Sequence, residues 1–139
     1  MMKKILVLFT LFIIALSVQA QRVYTITPDT LTEVETEYFA VPDITGGYTA
    51  LSIQVLCTEL GGTSDGTVVL QGSIDGSSYV TLSDDENYIK GFTNDSLTIT
   101  DGAVNAWVIY NPNMVSYRVA ATGTANDTTL ITTKYFLKK

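Results

Sequence analysis

After Ala20 the sequence keeps a two-residue apolar period and gives almost no trace of the three-to-four spacing of a helix. Short runs of Val, Ile, Thr and Tyr recur between clusters of Gly, Asp, Asn and Ser, the punctuation of β-strands and tight turns. Between Tyr48 and Cys57, the side chains of Leu51, Ile53, Val55 and Cys57 share one face against Ser52 and Gln54, which reads as a core strand. From Leu31 to Val41 a single strand is expected, with Glu33, Glu35 and Glu37 on its wet face and Val34, Thr36 and Tyr38 on the other. Thr67 to Ile74 places Val68, Leu70 and Ile74 inward and Gln71 and Ser73 outward, with Tyr79 to Leu82 as its return strand. Further strands are read at Val23 to Thr27, Ser96 to Thr100, Ala103 to Tyr110, Val115 to Thr122 and Thr129 to Leu137. The expected fold is all-β: a single antiparallel β-sandwich or jelly-roll-like domain of about eight short strands, with no internal repeat.

The first twenty residues follow another logic. Lys3 and Lys4 precede an apolar run from Ile5 to Val18, and Val18-Gln19-Ala20 has the small-residue pattern of a signal-peptidase site. The run is shorter than the roughly 18 to 20 apolar residues that cross a bilayer. Residues 1–20 are therefore read as a signal peptide and residues 21–139 as the β-sandwich domain, exported to the periplasm, cell surface or medium with no stable membrane span. Without the two leader lysines, six basic residues face 14 acidic ones, a formal charge of −8. Nucleic acid is excluded as a partner, because its binding starts from clustered Lys and Arg on phosphates. Cys57 is the single cysteine, and its neighbours Val55, Leu56 and Leu60 mark it as a buried, inert side chain.

No histidine occurs anywhere, which removes most hydrolytic triads, most zinc sites and the commonest general base. The acidic residues sit on one strand face or in turns and not as a pair across a cleft, so no enzyme, no metal and no cofactor is expected. Asp84-Asp85-Glu86-Asn87 offers oxygen ligands, but consecutive residues cannot all point at one Ca²⁺ and the alternate-residue spacing of an EF-hand loop is missing. Asp75-Gly76 is read as a structural turn: glycine accepts a positive φ, and the carboxylate accepts bonds from nearby amides. The surrounding Ser73-Ile74-Asp75-Gly76-Ser77-Ser78-Tyr79 resembles an Asp-box hairpin, shortened by one residue and present once. Among the aromatic residues, Trp107 is expected in the core and most tyrosines as strand fillers, leaving Tyr88, inside the acidic loop, as the exposed aromatic of a possible binding surface.

The run from Gly66 to Tyr79, the stretch Trp107-Val108-Ile109-Tyr110-Asn111-Pro112, Tyr117-Arg118-Val119 and the ending Lys134 to Lys139 together resemble small β-sandwich virion or surface structural proteins of bacteriophages and prophages of Bacteroidota. The resemblance implies a non-enzymatic head or tail decoration component, acting through protein assembly or self-association and located in the virion if phage-encoded. It carries over no functional residue. A leader peptide is uncommon in virion proteins, which keeps a second reading open, an exported carbohydrate-binding or adhesion module for a surface glycan.

Overall fold

The computed structural model describes residues 22–32, 34–42, 44, 46–63, 65–83, 89–90, 96–124 and 127–139. The expected leader and the acidic run 84–88, Tyr88 included, lie outside them. The described residues form eleven strands: β1 (Val23–Thr25), β2 (Asp29–Thr32), β3 (Thr36–Val41), β4 (Ala50–Gly62), β5 (Gly66–Ser73), β6 (Val80–Thr81), β7 (Ile89–Lys90), β8 (Leu97–Thr98), β9 (Val104–Tyr110), β10 (Ser116–Gly123) and β11 (Asp127–Lys138). All pairings are antiparallel. One sheet has six strands in the order β1-β11-β4-β9-β7, with β2 also on β11, and the other has five in the order β3-β10-β5-β6, with β8 also on β5.

The core lies between these two sheets. Leu51, Ile53, Val55 and Cys57 of β4, Trp107 and Ile109 of β9 and Ile131 of β11 meet Phe39 and Val41 of β3, Val68 and Leu70 of β5, and Tyr117 and Val119 of β10 in one buried cluster. Period two explains this directly, since alternate residues of each strand fall on the same face. The chain is thus an all-β, two-sheet sandwich in which Trp107 and Cys57 take their expected core positions. Gly66, at φ +143°, opens β5 at a place where an added Cβ would collide with the carbonyl oxygen of Thr122 on β10. Only glycine allows that approach.

Three local expectations are corrected. The segment from Leu31 to Val41 is two strands in different sheets, β2 on β11 and β3 on β10. The carboxylate of Glu35 accepts bonds from the Thr32 amide and, at 2.6 Å, from the Thr32 hydroxyl, folding the chain between the two strands. These bonds hold the Glu35 carboxyl below its usual range, the hydroxyl contributing most and the amide next. With the strand broken, the inward residues of β3 are Phe39 and Val41, while Tyr38 faces solvent at 53% exposure and Val34 at 72%. The second correction is at the end of β5, where Ile74 is 77% exposed and Ser73 is buried. Here turn geometry overrides alternation, because the Ser73 hydroxyl is recruited into the hydrogen-bonded turn that follows. The third concerns exposed aromatic residues, since Tyr24, Tyr38 and Tyr110 all expose substantial surface.

Candidate functional site

The outward face of the five-stranded sheet gathers residues that are far apart in sequence. Register places Ala40 of β3, Arg118 of β10, Gln71 of β5 and Thr81 of β6 in one row across the strands. The next row holds Tyr38, Ala120 and Val69, and the row beyond it Thr36, Thr122, Thr67 and Thr98. Each step between rows is two residues, roughly 7 Å along the strands. The Thr36 and Thr122 hydroxyls are hydrogen-bonded at 2.8 Å.

Arg118 is the centre of this face. Its guanidinium carbon lies 3.9 Å from the Tyr38 ring centroid and 3.7 Å from that of Tyr79, so the cation sits against two aromatic rings, one from β3 and one from the turn between β5 and β6. Its Nε donates to Gln71 Oε1 at 2.7 Å. These are its partners among the described residues, and none is a carboxylate. The Tyr79 hydroxyl shares a 2.9 Å hydrogen bond with Ser116 at the start of β10, which fixes that ring in turn. Opposite Tyr38 in register, Ala120 is only 3% exposed although it points outward. Cation–π contacts of this kind contribute on the order of 0.5 to 2 kcal/mol each.

The turn between β5 and β6 delivers Tyr79 to this place. Gly76 sits at φ +75°. Asp75 Oδ1 accepts from the Ser78 amide at 2.7 Å, the Ser77 amide at 2.8 Å and the Ser73 hydroxyl at 2.8 Å, while the Gly76 amide donates to Ser73 Oγ at 2.9 Å. The Ser78 and Ser77 amides, followed by the Ser73 hydroxyl, hold the Asp75 carboxyl far below the ordinary carboxylate range. Asp75 and Gly76 therefore lie next to the candidate face without forming its surface.

A second aromatic group lies at the edge of the six-stranded sheet. Tyr24 of β1 stacks on Tyr135 of β11 at 4.9 Å and 12°, with Arg22 5.3 Å above the Tyr24 ring. Tyr135 is buried, and burial raises its hydroxyl pKa, helped by the neighbouring Tyr24 and Tyr48. Its ring is spent on holding β1 to β11 and presents little to a ligand. Among the described residues no cluster of three or more His, Cys, Asp or Glu side chains could hold a metal ion.

Sequence reading pointed to Tyr88, which is outside the described residues, and missed Tyr38, Tyr79 and Arg118. The available signal was Arg118 itself, a charged side chain in the strand sequence Tyr117-Arg118-Val119-Ala120.

No protein-family model matches the chain, and no curated protein does. Solved structures do. The chain is similar to the PBSX exported protein XepA, with a TM-score of 0.57 and 13% identity over 84% of this chain, but it spans only 37% of XepA. It is similar to the SPBc2 prophage-derived protein YomS, with a TM-score of 0.52 and 13% identity over 85% of this chain and 93% of that one. It is also similar to the Yersinia pseudotuberculosis-derived mitogen, with a TM-score of 0.54 and 9% identity over 86% and 88% of the two chains. At these identities the likeness is one of fold, a two-sheet β-sandwich built over nearly the whole described chain.

Proposed function

We propose that the protein is an exported, non-enzymatic structural or surface protein of phage or prophage type that works through protein–protein contacts. The observation that carries this reading is the match of the sandwich to YomS over almost the full length of both chains, supported by the match to part of XepA. The leader-like residues 1–20 support export, and the lack of any histidine supports a role without acid–base chemistry. The test is mass spectrometry of gradient-purified particles from the producing cells, beside the soluble fraction. The protein should appear in the particle fraction at a fixed ratio to the other particle proteins, with an N-terminus at Gln21. Its presence in the soluble fraction alone would count against the reading.

The Tyr38–Arg118–Tyr79 face favours a second reading, an exported module that binds a surface glycan. Flat aromatic and hydroxyl-bearing surfaces suit the mixed apolar and polar faces of sugar rings, and here both occur on one sheet. A glycan array probed with the exported protein tests it, and retention of no glycan would reject it.

A further inference from the structure

Resting on that second reading, we propose that the outward face of the five-stranded sheet binds an oligosaccharide bearing carboxylate groups, one carboxylate being seated on the open edge of the Arg118 guanidinium. Among residues 21–139 only six side chains are basic against 14 acidic ones, so a cation at the middle of a strand face is conspicuous by charge. Its partners are an amide oxygen and two neutral rings, which leaves its charge uncompensated by any described side chain. A surface arginine ordinarily gives up rotamer entropy on gripping a ligand. Arg118 gives up little, because Gln71 holds Nε and Tyr38 and Tyr79 hold the plane. The N–H groups on the remaining edge form a planar fork, the geometry that a carboxylate meets with two parallel bonds.

The rest of the face points to a sugar and not to a small free acid. Tyr38 is 53% exposed, so its ring still offers surface to a pyranose while touching Arg118. Beyond it the row Thr36, Thr122, Thr67 and Thr98 sets hydroxyls across four strands. That row is four residues along β10 from Arg118, about 13 Å, the length of a short oligosaccharide. A guanidinium at one end, an aromatic beside it and hydroxyls at the other end match a chain of sugar rings with a carboxylate on one of them.

Isothermal titration of the exported protein with an oligogalacturonate, a neutral oligosaccharide of equal length, a sulfated oligosaccharide and inorganic sulfate tests the inference. The oligogalacturonate should bind, and Arg118→Gln should weaken it by about 10- to 100-fold, the worth of charge-assisted hydrogen bonds. Arg118→Lys keeps the charge and the stem but loses the planar fork, and it should also weaken binding clearly. That variant carries the comparison if Arg118→Gln lowers the melting midpoint. Equal binding of the neutral oligosaccharide, indifferent to both substitutions, would overturn the carboxylate assignment and leave the glycan reading standing. Equal binding of sulfate or the sulfated sugar would reduce the site to a general anion point and also overturn it. If no saccharide binds, both this inference and the glycan reading fail.

Discussion

Thr133 provides a test of the core in which the direction of the effect is the informative part. It lies on the inward face of β11, opposite Val55 of β4 and between Ile131 and Tyr135, fully buried. Its hydroxyl has no hydrogen-bond partner among the described residues. A buried, unsatisfied hydroxyl costs about 1 to 3 kcal/mol. Valine has nearly the same shape and replaces that hydroxyl with a methyl group, so Thr133→Val should stabilise the fold by about 1 to 2 kcal/mol. For a domain of this size that is a rise in melting temperature of roughly 3 to 8 °C. Urea titration should show a higher midpoint at an unchanged slope, meaning that stability has changed and the surface exposed on unfolding has not. Thr133→Ser, which keeps the hydroxyl and removes the methyl group, should instead destabilise by about 1 kcal/mol. A lower midpoint for Thr133→Val would mean instead that the hydroxyl is bonded in the folded protein and that the packing around β11 differs from the one described.

Other expectations follow from the turns and the cysteine. Gly66→Ala should cost about 3 kcal/mol or more, since it combines a strained φ with a collision against the Thr122 carbonyl, whereas Gly76→Val should cost roughly 1 to 2 kcal/mol from φ strain alone, its nearest atom being Val115 Cγ1 at 3.9 Å. Chemical denaturation of the two variants side by side checks that order. Asp75 titrates lower in the folded chain than in the unfolded one, so its stabilising effect is full above the unfolded value of about 4 and is lost as pH falls toward the folded value. Wild-type protein should therefore lose midpoint below about pH 4 more steeply than Asp75→Asn, as read from melts in an acid pH series. Cys57→Ala should cost about 1 kcal/mol as a trimmed core side chain, and a reductant should leave the wild-type melting midpoint unmoved.

Where a strand is long and has a paired strand on each side, its sequence is a direct guide to its structure. The alternation from Leu51 to Cys57 predicts the inward face of β4 residue by residue, because β11 pairs along all of it and β9 as far as Leu56 without a register shift. Between Leu31 and Val41 the same logic misleads. The Glu33, Glu35, Glu37 alternation looks like one wet face, yet the Glu35 bonds to Thr32 divide the segment and the chain passes to the other sheet. Ile74 fails for a related reason, since its position is set by the Ser73 and Asp75 bonds and not by the strand before them. The candidate face is harder still to read. Tyr38, Tyr79 and Arg118 come from three distant segments, and only the pairing of β3 and β5 on either side of β10 brings them together. Composition counts such tyrosines but does not say which share a face.

A protein that works, as proposed, through protein–protein contacts in an assembly should associate with itself, and its mass in solution reads that. Sedimentation of residues 21–139 across a wide concentration range should give a weight-average mass that climbs above the monomer toward a defined multiple. A mass that stays at the monomer at every concentration, with no other particle component restoring assembly, would contradict the claim.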